Sequence, residues 1–376
     1  MNAVVPTLLR FRSPDGSSIL AAAEDQILRV FTASTELCSG MQCGKLSLFQ
    51  RVPEGDLIYD YCWHPFMSSY DPETCVFISS SRDHPIHMWN ACSGCHVATY
   101  RPINHLDELA TAHSLGFSSD GQKIYSGFEK KIRIFDVHRT ACTARLINTA
   151  AKSSSWSLNQ SGIISCFASI PSQPSVFAAG SYGRRIGIYD ERTMELQYVL
   201  QADSGVTHLA ASTDGNLLFS GSRKQHGRTI APAASDAADP TQEFQDFLRA
   251  AERLWCHRGE WLVSGDTNGQ VSVWNLKDIS SGSFNGLSTS NIPSIPPCGI
   301  FSAHSSAVNG VSLNPLLNLM VTSSGQRKFD MTLSDDDGAD GEGGYVASEL
   351  ETPLDNSLKL WFLGKHPGLD IEPVII

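Results

Sequence analysis

The chain is poor in charged residues and has no long apolar run. Asp, Glu, Lys and Arg make up 18% of its 376 residues, which favours short strands joined by turns over long solvated helices. No stretch reaches the roughly 18 to 20 apolar residues that a membrane-spanning helix needs, and the first residues lack the apolar run of a secretion signal. We therefore expect an all-β protein with no membrane partner.

Positive charge is also scarce. The sequence contains 28 Lys and Arg against 39 Asp and Glu, which gives a formal net charge of -11. A protein that coats nucleic acid through its overall charge carries the opposite excess. Any phosphate binding must therefore come from a local cluster of cations.

The cysteines lack the paired spacing of a disulfide scaffold. Ten are scattered along the chain, and Cys62 and Cys166 lie in apolar runs, where a thiol behaves as a small buried hydrophobe. Cys92 and Cys95 have the spacing of metal ligands, but no second pair follows at the distance of a zinc site. We expect free thiols in a reducing compartment, the cytosol or the nucleus, and neither a metal nor a cofactor.

One pattern recurs along the chain. An apolar strand ends in small residues, and a short polar turn then leads to an alternating strand that ends in an aromatic residue. Clear copies are DPETCVFISSSRDHPIHMWN from Asp71 and SSDGQKIYSGFEKKIRIFD from Ser118. The other copies begin at Ser13, Pro171, Ser212, His257 and Asn314. Their spacing of roughly 40 to 60 residues is typical of four-stranded blades. The seven copies predict a single seven-bladed WD-repeat β-propeller over residues 1–376.

The fifth copy departs from this pattern. Its third strand is missing from the place expected after Arg223 and Lys224, and the next apolar residues have helical spacing. These residues are Phe244, Phe247, Leu248, Ala251 and Trp255. We predict an irregular, helical segment over residues 225–256, which is either a genuine insertion or a product of altered splicing or of a faulty gene model.

The seventh and first copies also depart from the pattern. Residues 330–355 form an acidic, glycine-rich stretch with little to bury, so we expect a disordered loop there. This loop delays the partner strand NSLKLWF to Asn356. The first copy lacks an upstream strand in the repeat pattern, so we expect the C-terminal segment DIEPVII to close the ring.

The polar turns after the small-residue strands should share one rim, because every blade has the same order and direction of strands. Most of these turns carry cations, namely Arg82, Lys130, Lys131, Arg184, Arg185, Arg223, Lys224, Arg327 and Lys328. Phe128 and Tyr182 stand on the same turns. Glu24, Asp25 and Asp266 interrupt the series, so the sequence predicts a basic arc and not a full ring.

Arginine binds phosphate through two hydrogen bonds and stacks on unpaired bases, and an aromatic ring stacked on a base contributes about 1 to 3 kcal/mol. This mixture suits single-stranded or looped RNA. The candidate RNA-binding residues are Arg82, Phe128, Lys130, Tyr182, Arg184, Arg185, Arg223, Lys224 and Arg327. The same charges are also compatible with solvated turns of a propeller that binds only proteins, so both interpretations stay open.

An enzymatic alternative rests on the stretch NHLDELATAHS. His105, Asp107, Glu108 and His113 could form a hydrolytic group, but neither a nucleophile nor a phosphate-binding loop accompanies them. We interpret His113 and Ser114 as a His-Ser pair that forms hydrogen bonds inside a WD-type blade. We therefore expect no enzymatic activity.

Three aromatic residues alternate in the stretch IYDYCW. Tyr59, Tyr61 and Trp63 should share one face of a strand. We interpret this face as core between two blades.

Several strings of the sequence resemble the telomerase Cajal body protein family. They include EGDLIYDYCWHPFMSS, SSSRDHPIHMWNA, NHLDELATAHSLGFSSDGQ, GSYGRRIGIYD, FSGSRKQ and TSSGQRKF. Matching strings run in the same order from Glu54 to Phe329, and NHLDEL and IYDYCW are more specific than general propeller features.

The resemblance implies a non-enzymatic RNA-binding scaffold in the nucleus. Members of the family recognise a loop box of small Cajal body RNAs, and of telomerase RNA where an organism uses it, and direct these ribonucleoproteins to Cajal bodies. Ribonucleoprotein and other nuclear proteins are the implied protein partners. The resemblance carries an RNA-contacting role to the residues within matching strings: Arg82, Tyr182, Arg184, Arg223, Lys224 and Arg327. A WD-repeat scaffold for proteins, without direct RNA binding, is the alternative.

Overall fold

The computed structural model describes most of the repeats. The described residues are 6–11, 13–33, 46–104, 106–139, 144–150, 159–202, 204–212, 215, 218–222, 228–230, 254–257, 261–275, 297–314, 319–325, 355, 357–363 and 371–373. Every regular element within these ranges is a β-strand. No helix suited to crossing a membrane is found in them.

The first four sheets each contain four strands. The first contains β1 (Pro6–Phe11), β2 (Ser18–Ala23), β3 (Ile27–Ala33) and β4 (Leu46–Pro53). The second contains β5 (Ile58–Trp63), β6 (Val76–Ser81), β7 (Ile86–Asn90) and β8 (His96–Tyr100). The third contains β9 (Ser114–Phe117), β10 (Lys123–Phe128), β11 (Lys131–Asp136) and β12 (Arg145–Asn148). The fourth contains β13 (Ile164–Ser169), β14 (Val176–Ser181), β15 (Arg185–Asp190) and β16 (Glu195–Gln201).

The remaining described strands form three more sheets. The fifth contains β17 (Val206–Ala211), β18 (Leu218–Ser222) and β19 (Arg228–Ile230). The sixth contains β20 (Leu254–His257), β21 (Trp261–Gly265), β22 (Gln270–Asn275) and β23 (Gly299–Ser302). The seventh contains β24 (Val308–Leu313), β25 (Leu319–Ser324), β26 (Leu358–Leu363) and β27 (Ile371–Pro373).

Each sheet is an antiparallel meander in which consecutive strands pair. Successive sheets pack against each other, and the first sheet meets the seventh through β1 and β24. This ring of stacked meanders is a β-propeller, so the predicted all-β fold is confirmed. Because parts of the fifth and seventh copies lie outside the described residues, the count of seven blades stays a prediction.

The core is divided into clusters that lie between neighbouring sheets. Tyr61 and Phe77 of the second sheet, for example, pack with Leu20 and Leu28 of the first. The second strand of a blade is therefore covered on both faces, and β6, β14 and β25 are buried at every position. This double burial explains why these strands are apolar runs ending in small residues and not alternating patterns.

Side chains also tie the inner strands of neighbouring sheets together. Asp60 Oδ2 accepts the backbone N–H of Leu115 at 2.7 Å, which joins the second sheet to the third. Ser114 Oγ donates to the carbonyl of Ile164 at 2.8 Å, which joins the third to the fourth. The Ser114 side chain therefore bonds across a blade boundary and not inside one blade as predicted.

The fifth sheet corrects the prediction that its third strand is absent. The short strand β19 pairs with β18, with Thr229 opposite Phe219. Trp255 lies in β20 opposite Val263 and not in a helix. Strands of three and four residues are too short to show alternation, which is why the sequence pattern missed them. Residues 231–253 of the expected insertion lie outside the described residues, as does the acidic loop 330–355 apart from Asp355.

The ring closes differently from the prediction. β27 does not complete the first sheet; it pairs with β26 at the outer edge of the seventh, with Pro373 opposite Trp361. The innermost strand of the first sheet is β1, in which Leu9 pairs with Ala21. The repeat pattern starts at the second strand of each blade and therefore did not reveal β1.

A buried carboxylate organises the junction between the first and second sheets. Glu54 is 5% exposed, and its oxygens accept hydrogen bonds from Ser79, Ser81 at 3.0 Å, His87 Nδ1 at 3.1 Å and Trp89 Nε1 at 2.9 Å. Burial by itself raises the pKa of Glu54, but the hydrogen bonds, led by that from His87, outweigh it and hold the pKa below its ordinary value. The carboxylate thus stays charged and satisfied.

A second polar cluster links the sixth and seventh sheets. His304 is buried. Its Nε2 atom lies 2.7 Å from Thr322 Oγ1, and its Nδ1 atom lies 3.1 Å from Asp355 Oδ2. Trp361 Nε1 donates to the same Thr322 hydroxyl at 2.8 Å. Burial lowers the pKa of His304 despite the neighbouring carboxylate. Both clusters join a turn to the second and third strands of one sheet.

We expect the Glu54→Ala substitution to lower the free energy of unfolding by about 3 kcal/mol, because it leaves buried donors without an acceptor. Urea denaturation at neutral pH measures the effect. Glu73→Ala is the matched control, since Glu73 is exposed and its removal should change little. Equal losses in the two variants would contradict the structural role of Glu54.

Candidate nucleic-acid interface on the turn face

The turns between the second and third strands share one face of the propeller with the connections between sheets. We call this surface the turn face. Its segments are joined by backbone hydrogen bonds: Arg82 N donates to Leu57 O at 2.9 Å, Lys130 N to Gly162 O at 3.0 Å, and Tyr182 N to Ile163 O at 3.0 Å. Each turn is therefore fixed against the segment that leads into an inner strand.

Two cations of the turn face have left-handed backbone conformations. Lys130 has a φ of 56° and Arg184 a φ of 62°, each directly before the third strand of its sheet. Gly269 occupies the corresponding place in the sixth sheet with a φ of 81°. This conformation is free of strain for glycine but costs a longer side chain roughly 1 kcal/mol. Gln26 has the same conformation directly before the third strand of the first sheet, with a φ of 63°, so the conformation belongs to this turn and does not by itself mark the cations as functional.

Arg82 stands at the centre of a small polar group. Its side chain is exposed and hydrogen-bonded to Tyr59, and this bond, with the charge of Asp56, raises the pKa of the guanidinium. The neighbouring Asp83 N donates to Thr111 Oγ1 at 3.1 Å. His84 Nδ1 lies 2.6 Å from the carbonyl oxygen of Arg82. The turn that carries Arg82 is therefore tied to the connections on both sides of it.

The structure brings Tyr59 to the turn face, which corrects its predicted place in the core. Tyr61 and Trp63 are buried as expected, at 0% and 5% exposed. Tyr59 is half-buried and lies at a β-bulge between Ile58 and Asp60. A bulge breaks the alternation of side chains along a strand, so Tyr59 contacts Arg82 instead of packing with Tyr61. The sequence carries no signal for this bulge.

Tyr182 is an exposed aromatic residue on this face, with 43% of its surface accessible. Its turn is closely packed by glycines. A Cβ on Gly183 would collide with the carbonyl of Ser161, and one on Gly205 would lie 3.1 Å from the Tyr182 carbonyl. The tight backbone packing fixes the position from which the Tyr182 side chain projects.

Phe128 is buried, and Arg185 is half-buried and hydrogen-bonded to a neighbouring segment. Phe128 is 6% exposed in the core between the second and third sheets, and the guanidinium of Arg133 lies 5.2 Å from its ring centre. Arg185 donates to the Asn159 carbonyl at 2.6 Å and to the side-chain oxygen of the same residue. Phe128 has no open face for a base, because β10 is covered by both neighbouring sheets.

The predicted interruptions of the arc are present. Asp25 forms an ion pair with Arg29, and Asp266 Oδ1 accepts the backbone N–H groups of Asn268 at 2.9 Å and Gln270 at 2.7 Å. Lys130 is exposed, and its Nζ atom lies 3.2 Å from Oε1 of the neighbouring Glu129. Lys131 is the first residue of β11 and is half-buried. The remaining predicted cations of the arc, Arg223, Lys224, Arg327 and Lys328, lie outside the described residues.

The loop from Arg101 to Thr111, of which every residue except His105 is described, lies beside Arg82, and the hydrogen bonds that support it were not predicted from the sequence. Asn104 Oδ1 accepts the N–H groups of Leu106 at 2.8 Å and Glu108 at 3.0 Å. From below, the buried Arg133 donates to the carbonyl of Ile103 at 2.6 Å. Burial lowers the pKa of this guanidinium. Arg133 lies between Ile132 and Ile134 in a strand that also contains Lys131 and Asp136, so the sequence carries no signal for its burial.

Two described residues of the hydrolytic alternative, Glu108 and His113, make contacts with neighbouring side chains. Glu108 accepts a hydrogen bond from Asn104 Nδ2 at 3.1 Å. His113 packs against Tyr59, with ring centres 5.3 Å apart, and burial lowers its pKa. His105 lies outside the described residues. Within the described part of the chain, no group of three or more His, Cys, Asp or Glu side chains could hold a metal ion.

Comparison with known proteins identifies the repeats. The family model described as "WD domain, G-beta repeat" matches residues 194–229 and 246–275. The second match contains β20, β21 and β22 and begins at residue 246, inside the predicted irregular segment 225–256. The predicted WD-repeat class is thus confirmed.

Relatives match nearly the whole chain. Telomerase Cajal body protein 1 of Mesocricetus auratus is 38% identical over 370 residues, which cover 94% of this chain and 65% of that protein. The protein of the same name from Homo sapiens is 37% identical over 366 residues, which cover 96% and 64%. Guanine nucleotide-binding protein negative regulator 1 of Schizosaccharomyces pombe is 30% identical over 292 residues, which cover 71% and 70%. The chain therefore spans slightly less than two thirds of the first two relatives.

We expect Arg133→Met to loosen the loop without unfolding the propeller, because a charge-assisted hydrogen bond to Ile103 is lost while the apolar stem is kept. Amide hydrogen exchange at Glu108 and Ala110 should accelerate about tenfold or more. The control is Arg139→Met, which removes an exposed cation on the same sheet. Unchanged exchange in the loop of the Arg133 variant would contradict the supporting role.

Proposed function

This chain belongs to the telomerase Cajal body protein family, and from that premise we propose that it is a non-enzymatic RNA-binding scaffold of the nucleus. It recognises a loop box of small Cajal body RNAs, and of telomerase RNA where that RNA is a client, and directs the ribonucleoproteins to Cajal bodies. WD repeats and the names of the relatives point to a scaffold and not to a catalyst.

The observation that carries the proposal is the exposure of Arg82, Lys130 and Arg184 on the turns of three consecutive sheets. The net charge of the chain is -11, so this local cluster opposes the overall charge. Phosphate groups are attracted to such a cluster, and the attraction weakens steeply with salt. Arg223, Lys224 and Arg327 extend the proposed site on the strength of the family resemblance.

Aromatic residues beside the cations favour unpaired nucleotides over a duplex. Tyr182 is exposed in the same turn as Arg184, and Tyr59 is hydrogen-bonded to Arg82. Unpaired bases stack on such rings while their phosphates contact arginine. Phe128 and Arg185 are left out of the contact surface, because Phe128 is buried and Arg185 is hydrogen-bonded to Asn159.

The loop from Arg101 to Thr111 favours the alternative, a scaffold that binds proteins alone. It exposes Ile103, Leu106 and Leu109, with 63% of Leu106 accessible. The exposed carboxylates of Asp107 and Glu108 would repel phosphate. If RNA binding fails in a folded protein, this loop is the better candidate for the working surface.

We expect charge reversal at Arg82 and Arg184 (R82E with R184E) to weaken binding of a small Cajal body RNA hairpin by about 10- to 100-fold and to reduce the salt slope by about two. Fluorescence anisotropy over a salt series measures both, with intact and scrambled loop boxes. The matched control reverses Arg139 and Arg192, which are exposed on the turns after the third strands of the third and fourth sheets. Equal losses in the two double variants, or binding that ignores the loop box, would contradict the proposed site.

We expect Tyr182→Ala to weaken binding of the same hairpin by about 1 to 3 kcal/mol, because a stacked base loses its ring. Tyr182→Phe keeps the ring and should bind nearly as tightly as the unmodified chain. Anisotropy at one salt concentration is sufficient. If both variants lose affinity equally, the hydroxyl and not the ring contributes, and stacking is wrong.

A further inference from the structure

Two cysteines meet at the base of the hairpin formed by β6 and β7. Cys75 directly precedes β6 and is 1% exposed, whereas Cys92 follows β7 and is exposed. Their Sγ atoms are 2.9 Å apart. The backbone holds them in register, because Ala91 N donates to Cys75 O at 2.9 Å. The separation exceeds the S–S bond length of about 2.05 Å by less than 1 Å.

The turn after β7 selects Cys92 and not Cys95 as the neighbour of Cys75. Asn90 Oδ1 accepts the N–H groups of Cys92 and Ser93, both at 2.9 Å, which fixes the turn. Cys95 Sγ lies instead 3.9 Å from the carbonyl oxygen of Ser93. Cys92 and Cys95 have the spacing of metal ligands, for which the sequence predicted no metal, and the fold places Cys92 beside Cys75 at the base of the same hairpin.

The two thiols differ in reactivity. Burial, followed by the contact with Cys92, raises the pKa of the Cys75 thiol to about 12, so Cys75 remains protonated at neutral pH. A soluble oxidant reaches Cys92, which is exposed, and its attack on a peroxide proceeds through the thiolate. The pair thus combines an accessible sulfur with a sheltered one in contact with it.

We propose that Cys92 and Cys75 form an oxidation site at which hydrogen peroxide converts the two thiols into an intramolecular disulfide. The Cys92 thiolate attacks one peroxide oxygen, the O–O bond breaks, and the departing hydroxide takes up a proton, which leaves a sulfenic acid and one water. The Cys75 sulfur then attacks the Cys92 sulfur. The S–S bond forms as the S–O bond breaks, and the hydroxyl group leaves as a second water with the Cys75 proton.

The cross-link closes the open end of a hairpin whose other end carries Arg82. It restricts the unfolded chain between residues 75 and 92, and such a restriction stabilises the folded state. Cys75 also packs in the core between the first and second sheets, so the bond anchors the exposed turn to that core. In a reducing compartment the pair stays a dithiol until peroxide is present.

The test uses the reduced, purified full chain with hydrogen peroxide as the probe. Remaining thiols are alkylated, and the chain is digested and analysed by mass spectrometry. We expect a cross-linked peptide pair, lighter by two hydrogen atoms, that joins Cys75 to Cys92 and disappears on reduction with dithiothreitol. The loss of two alkylatable thiols should accompany a rise in Tm. Cys92→Ser should abolish the cross-link and the rise in Tm, and Cys95→Ser should leave both unchanged.

Three outcomes would overturn the proposal. A disulfide between Cys92 and Cys95 would show that the turn rearranges. A dimer linked through Cys92 would show that Cys75 is out of reach. Oxidation of Cys92 to a sulfinic acid, while Cys75 can still be alkylated, would also show that Cys75 is out of reach of Cys92. The Cys92 variant replaces an exposed residue, so its folding is checked by its Tm before peroxide is added.

Discussion

Double burial of the second strand in each blade is the constraint on which the rest of this structure depends. A sheet covered on both faces must fill two interfaces with apolar side chains, and β6, β14 and β25 leave no position accessible. Glu54, which enters one of these interfaces, is bonded by Ser79, His87 and Trp89, whereas the buried Trp63 Nε1 and Ser323 Oγ have no hydrogen-bond partner among the described residues. Side chains that bind a ligand are consequently confined to the turns, which the neighbouring sheets do not cover.

Much of the fold could be predicted from the sequence, because double burial produces a sequence pattern that recurs in each blade. Apolar runs ending in small residues identified the second strands, and the turns after them correctly located exposed Arg82, Lys130 and Arg184. What remained hidden depends on local geometry without a composition signal. The bulge at Tyr59 turns this side chain to the opposite face of the strand from the one expected. The strand β19 is too short to show alternation. Phe128 lies next to a turn but packs in the core.

The turn face carries two different chemistries side by side. The arc of cations and tyrosines suits phosphates and bases, whereas the loop from Arg101 to Thr111 presents aliphatic side chains with carboxylates. Asp83 and Thr111 join the two directly through a hydrogen bond of 3.1 Å. A ligand on the proposed arc and a protein on the loop would therefore be neighbours on the turn face.

The closure of the ring has a kinetic consequence. As described, each sheet is a contiguous stretch of chain, and no strand is exchanged between the first and seventh sheets. Their seam is held by the apolar cluster around Ile19 and Val321 and by the Asn314 amide, which donates to Gly16 O across 298 positions at 2.8 Å. Hairpins form from near neighbours, whereas this seam joins the most distant segments, so its closure should come late in folding. Opening the seam breaks no hydrogen bonds between paired strands. We therefore expect the ring to open first at the seam under heat or tension.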